Sequence, residues 1–191
     1  MIIGVDFDNT VVCYDRIFHH VAVEKGWLKA SVPVSKDAVR NALREKGQEE
    51  RWTELQGLVY GARMTEADPY PGALDFFRLC RERGITARII SHRTKKPFLG
   101  PMYDLHQAAR EWLAVHLPRE EAYFELTKPE KLARISAAGC THFIDDLPEF
   151  LGEEAFPKGV ERFLFDPNAR FSGSPFRRVA SWSELSSLLM G

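Results

Sequence analysis

The sequence predicts an α/β protein: a doubly wound, Rossmann-like, mostly parallel sheet carrying a small helical insertion. Three observations carry this expectation. Short apolar segments recur along the chain, helical patterns separate them, and one long early stretch holds helical patterns but no strand. Apolar runs without alternation mark strands buried on both faces, as in a parallel sheet.

The strand segments run from Ile2 to Phe7, Ile85 to Ser91, Thr141 to Ile144 and Glu161 to Phe165. A further one, Ala122 to Leu126, reads as a strand or a connector. Helical patterns occupy Ala73 to Arg83, Asp104 to His116, Pro129 to Ala138 and Ser183 to Met190. Thr127 with Glu130, and Ser181 with Glu184, have the spacing of a capping box, in which each residue satisfies a backbone donor of the first turn. Gly139 stands where a helix-terminating glycine belongs. Strands alternating with helices require right-handed crossovers, hence a doubly wound sheet. The stretch from Phe163 onward reads as a last strand and helix completing that sheet.

From about Tyr14 to Asp68 the alternation stops. Three helix-like patterns follow one another, Asp15 to Trp27, Lys36 to Lys46 and Glu49 to Ala62, before Pro69, Pro71 and Gly72 announce a turn. One crossover needs only about a dozen residues, and this segment is several times longer. It is therefore expected to be an insertion, 15–68, in a domain formed by 1–14 and 69–191.

A chain of 191 residues suffices for one substantial domain with a modest insertion. Its 45% hydrophobic and 28% charged content is that of a soluble globular protein. A net charge of -1 gives no reason to expect a nucleic-acid-binding face, which needs clustered excess Lys and Arg, but leaves a nucleotide open as substrate. Cys13, Cys80 and Cys140 are an odd, scattered set, which argues against a disulfide framework or a zinc site and fits a reduced cytoplasm. Asp6 follows the first residues at once, with no leader-like apolar stretch, and no apolar run is long enough to span a bilayer. A soluble cytoplasmic protein without a membrane partner is expected, its oligomeric state left open.

Ligands of open parallel sheets bind beyond the carboxyl ends of the strands, so the residues just after each apolar run matter most. After the first come Asp6, Asp8 and Thr10; after the second, Ser91, His92, Arg93 and Thr94. Lys128 opens the helix that follows Thr127, and Asp145 and Asp146 follow the strand from Thr141. Asp6 and Asp8, two apart in an extended strand, would share a face. Adding Asp145 and Asp146 gathers carboxylates that a cation must neutralise. Hard oxygen donors without His or Cys nearby in sequence point to Mg²⁺. A carboxylate can attack a phosphoryl group to give an acyl-phosphate, with the metal easing charge repulsion. Ser91, Lys128 and backbone donors would then hold the phosphoryl oxygens.

In order and spacing these residues resemble the haloacid dehalogenase (HAD) superfamily of phosphohydrolases. The matching segments are Asp6-Phe7-Asp8-Asn9-Thr10, Ile89-Ile90-Ser91, Thr127-Lys128-Pro129 and Phe143-Ile144-Asp145-Asp146. They cover the chain from Met1 to about Leu151, apart from the insertion. The resemblance implies that Asp6 is the nucleophile and forms an aspartyl-phosphate, and that Asp8 is the general acid/base. It implies that Ser91 and Lys128 hold the phosphoryl oxygens. Asp6, the backbone carbonyl of Asp8, and Asp145 would hold Mg²⁺, with Asp146 helping directly or through water. It also implies that the insertion is a small helical cap that selects a small phosphorylated metabolite, such as a sugar phosphate or nucleotide. An acid at position 8 suits loss of an alkoxide and disfavours dehalogenation.

Competing readings accompany several positions. Lys131, one helical turn after Lys128, is the alternative phosphate ligand. Asp145-Asp146 reads either as two ligands or as one ligand and one cap. Thr10, His92 and Arg93 are candidate substrate contacts, the last two competing with a solvated loop. Arg51, Trp52, Gln56 and Tyr60 recur at helical spacing and read as packing with a charged rim. Beside phosphate-ester hydrolysis stand phosphoryl transfer to another acceptor and a catalytically silent binding module.

Overall fold

The structure is a computed structural model describing all residues, 1–191. In chain order its elements are β1 (Ile2–Val5), β2 (Val12–Cys13), α1 (Asp15–Glu24), α2 (Lys36–Glu45), α3 (Glu49–Tyr60), β3 (Asp68–Pro69), α4 (Ala73–Glu82) and β4 (Thr86–His92). There follow α5 (Leu105–His116), β5 (Ala122–Glu125), α6 (Lys128–Ala137), β6 (His142–Asp145), α7 (Pro148–Leu151), β7 (Glu161–Phe165), β8 (Arg177–Val179) and α8 (Trp182–Met190). A 3₁₀ turn, Met64–Glu66, precedes β3.

The chain divides into two compact units. The first comprises Met1–Val12, Pro69–Arg93 and His116–Gly191. Its six-stranded sheet has the order β5-β4-β1-β6-β7-β8, every neighbouring pair parallel. From β4 the chain moves outward to β5, then crosses to β6 on the other side of β1. This reversal opens a crevice at the carboxyl ends of the central strands, where such sheets take their ligands. Ile3 and Val5 on β1 are wholly buried, as a central strand covered on both faces requires. On one face α6 and α7 bury Leu132, Ile135, Phe150 and Leu151 against Ile90, Phe143 and Leu164. On the other, Trp182 of α8 packs its indole 4.9 Å from the Phe76 ring of α4 and 5.5 Å from Phe165 of β7. Each such side chain contributes roughly 1.5–3 kcal/mol by leaving water.

The second unit comprises Cys13–Asp68 and Thr94–Val115. Its core is aromatic: Phe18 stacks on Trp52 at 5.0 Å, and Tyr60 meets Tyr14 at 5.0 Å and Phe18 at 5.6 Å. The stripe of Trp52 and Tyr60 is thus packing, and Arg51 covers the Trp27 ring at 5.8 Å. The sequence reading put 94–115 with the sheet; the structure puts it with these helices. The reason is local. Cβ atoms added at Gly57 and Gly61 would lie 2.9 Å from the Pro97 Cβ and 2.6 Å from the Tyr103 Cβ, so the two glycines of α3 let that segment lie flush against the helix. Trp112 of α5 then donates its indole N–H to the Ala67 carbonyl at 2.8 Å. Four short elements, β2, β3, α7 and β8, each under five residues, carry no readable signal in the sequence. No helix is long and apolar enough to cross a membrane.

Candidate active site

The candidate site lies wholly within the first unit. β1 pairs with β6 as far as Asp6, whose N–H donates to the Ile144 carbonyl at 2.9 Å. β4 pairs with β1 through Ile89 opposite Val5, which brings Ser91 to the same edge. Beyond β1 the chain turns sharply: Asn9 takes a positive φ of 58°, which Asn tolerates better than most residues. The Phe7 carbonyl closes the turn by accepting from Val11 and Val12 N–H at 3.1 and 3.0 Å.

Asp6, Asp145 and Asp146 are buried, with one carboxylate oxygen from each lying within 4.8 Å of the others. Ser91 donates its hydroxyl to Asp6 Oδ1 at 2.9 Å. Lys131 donates from Nζ to Asp6 Oδ1 and to Asp145 Oδ2, both at 2.6 Å. Asp145 Oδ1 accepts the Leu147 N–H at 2.9 Å, and Arg170 stands 3.9 Å from Asp146. Asp8, 23% exposed at its side chain, pairs with the buried Arg93 at 2.6 Å. A cavity of about 90 Å³ is lined by Asp6, Asp8, Ser91, Lys131 and Asp146, with His92 and Lys128 also on its wall.

Lys131 is the main difference from the sequence reading, which placed Lys128 against the phosphate. The Lys128 ammonium instead reaches Glu153 at 3.4 Å and is 44% exposed at its side chain. The capping box of Thr127 and Glu130 fixes where α6 begins, and hence which lysine faces the sheet. Lys131 shares its buried stripe with Leu132 and Ile135, and its ammonium lies 4.0 Å from the Phe150 ring centroid. A lysine on an apolar stripe, four residues before Ile135, is the signal that distinguishes it in sequence.

Of the candidate substrate contacts, His92 lies on the cavity wall with Nε2 donating to the Leu126 carbonyl at 2.9 Å. Thr10 does not line the cavity: it is wholly buried, its carbonyl accepts the Trp182 indole N–H at 3.1 Å, and its hydroxyl has no partner. Arg93 is not a solvated loop residue; it is buried against Asp8 and 5.8 Å from the Phe7 ring centroid.

Electrostatically, burial raises Asp6 from its ordinary 3.8 to about 7, Asp145 and Asp8 push the same way, and Lys131 opposes. Burial works against the Lys131 charge, but Asp145 and Asp6 outweigh it and raise the ammonium above its ordinary 10.5. Lys131 offsets only one of three gathered carboxylate charges. An all-oxygen set of this kind suits a hard divalent cation, since oxygens on one Mg²⁺ at about 2.1 Å lie at most about 4.2 Å apart, less than an ångström inside the observed spread.

No protein-family model matches the sequence, and no curated protein matches it either. Solved structures do match in fold. A HAD family hydrolase from Deinococcus radiodurans, with bound phosphate and sodium, superposes with a TM-score of 0.61 at 17% identity, over 98% of this chain and 94% of that one. A candidate phosphoglycolate phosphatase from Lactobacillus delbrueckii gives 0.62 at 12% identity, over 100% and 98% of the two chains. L-2-haloacid dehalogenase from Xanthobacter autotrophicus, with chloropropionic acid covalently bound, gives 0.55 at 15% identity, over 100% and 99%.

Proposed function

We propose that this chain, which has the haloacid dehalogenase-like fold, is a Mg²⁺-dependent phosphatase acting on a small phosphomonoester through an aspartyl-phosphate on Asp6. One observation carries the reading. Asp6 is buried at a strand end with Ser91 and Lys131 both bonded to Oδ1, beside Asp145 and Asp146, in a cavity that also takes in Asp8. The cavity, about 90 Å³, is large enough to admit a small polar group beside Asp6.

In the first half-reaction an Asp6 oxygen bonds to phosphorus as the ester P–O bond breaks, and Asp8 gives its proton to the departing alkoxide. In the second, Asp8 takes a proton from water, whose oxygen bonds to phosphorus as the bond to Asp6 breaks and phosphate leaves. The Ser91 hydroxyl and Lys131 ammonium would hold the non-bridging oxygens. Mg²⁺, held by Asp6, Asp145 and the Asp8 carbonyl with Asp146 alongside, would neutralise charge between carboxylate and phosphate when bound. The dehalogenase likeness does not favour carbon–halogen cleavage, since that reaction has no alkoxide for Asp8 to protonate. We read the helical unit as the cap that selects the leaving group, because its two segments enter the chain directly after the Asp6 and Ser91 strands.

The test is phosphate release from a panel of small phosphomonoesters with Mg²⁺, with chelator, and with Asp6→Asn. Release that needs Mg²⁺ and falls by more than about 10³-fold in the variant supports the reading. Full activity in Asp6→Asn, or no release from folded, magnesium-loaded protein, sinks it.

A further inference from the structure

Arg93 is buried, charged and bonded to the one carboxylate that the reaction asks to move a proton. Burial of a guanidinium costs several kcal/mol unless it is well paired, so its position calls for a reason. Its main chain is fixed, since β4 runs to His92 and the Arg93 N–H continues the ladder by donating to the Glu125 carbonyl at 2.8 Å. Its guanidinium is flanked by the Phe7 ring at 5.8 Å, and Phe7 is in turn held edge-on by Phe124 at 5.4 Å. From this braced position Nη1 meets Asp8 Oδ1 at 2.6 Å. Asp8 lies just beyond β1, at the start of the turn through Asn9, where only an isolated bridge to Val12 continues the pairing.

We propose that Arg93 is a positioning residue for Asp8, holding its carboxyl group where the leaving-group oxygen is protonated and where water is later deprotonated. This rests on the phosphatase reading above. A carboxylic acid still accepts a hydrogen bond on its carbonyl oxygen, so the Arg93 contact persists whether Asp8 carries the proton or has delivered it. The contact therefore serves both half-reactions without breaking.

The consequence is a dependence on leaving group. A p-nitrophenolate leaves without help, whereas an alkoxide needs the acid. Comparing kcat/KM for p-nitrophenyl phosphate and glycerol phosphate in Arg93→Gln, Arg93→Lys and wild type isolates this effect, because kcat/KM reports the step in which Asp6 is phosphorylated. Arg93→Gln is expected to lose on the order of 10²-fold on glycerol phosphate, within the usual contribution of general acid catalysis, and less than about 10-fold on the aryl ester. Arg93→Lys, which restores one donor but not the planar guanidinium, is expected to fall between. Asp8→Asn supplies the reference, with the same asymmetry. The ratio of the two substrates in one preparation is independent of how much variant folds. Equal losses on both esters would make Arg93 a phosphate ligand or a purely structural residue, and no loss would remove any role. If wild type turns over neither ester, or Asp6→Asn remains active, the phosphatase reading falls first and this proposal with it.

Discussion

At the scale of single residues, the site turns on which of two lysines three positions apart meets Asp6. Lys131 serves two buried carboxylates at 2.6 Å, while Lys128 holds an exposed pair with Glu153. Exposed pairs contribute little, typically under about 1 kcal/mol, whereas removing one partner of a buried pair costs about 3–5 kcal/mol. Lys131→Met should therefore lower the proposed phosphatase activity about 10²–10³-fold and also lower the unfolding midpoint. Lys128→Ala should lower activity less than about 10-fold with an unchanged midpoint. Activity assays and thermal melts of the two variants decide it, and the reverse ranking would return the phosphate contact to Lys128. The sequence made Asp6, Asp8, Ser91, Asp145 and Asp146 readable as candidates because each stands at or just beyond the carboxyl end of a strand, and strand ends point to the ligand edge whatever the exact register. It left the lysine ambiguous because a helix face is set by where the helix starts. That start depends on a cap whose geometry only the folded chain displays.

At the scale of elements, the packing of β1 against its neighbours is the sharpest constraint. A Cβ on Gly4 would lie 2.5 Å from Cδ2 of Phe143 and 3.0 Å from Sγ of Cys140, closer than folded chains tolerate. Gly4→Ala should destabilise the protein by about 1–3 kcal/mol, the usual cost of overpacking, and urea unfolding measures it. Restoration by Phe143→Leu in the double variant would show that the ring is the obstacle; no change in Gly4→Ala alone would refute the account. The same scale shows why some elements were readable and others not. β1 announces itself as an unbroken apolar run, β4 as a shorter apolar run interrupted at Arg88, and α6 by its capping box. β8, with Arg177 and Arg178 in its three residues, has an edge strand's composition and no periodic signal. Segment 94–115 reads as a crossover helix because nothing local reveals that Gly57 and Gly61, some 40 residues earlier, are shaped to receive it.

At the scale of the whole molecule, the buried acids make stability depend on pH. Asp6 holds its proton up to about 7 in the folded chain, above its ordinary 3.8, chiefly through burial and the charges of Asp145 and Asp8, with Lys131 opposing. Its raised value means that the folded state binds the proton more tightly than the unfolded one. The native state is thus penalised progressively as pH rises from about 4 to about 7. Urea midpoints measured in chelator should fall between pH 5 and pH 8, and Asp6→Asn, which cannot ionise, should flatten that fall. Parallel profiles for the two proteins would assign the slope to other groups.

The sheet order also fixes a timetable for synthesis. The two partners of β1 are β4 and β6, and β6 begins at His142, roughly 140 residues after β1 begins. At about 5–20 residues per second the growing chain carries an apolar strand without its β6 neighbour for something like 7–28 seconds. The nascent protein is thus most exposed to sticking while its centre waits for its last side, and slowing translation between β4 and β6 should lower the soluble yield more than slowing it after β7.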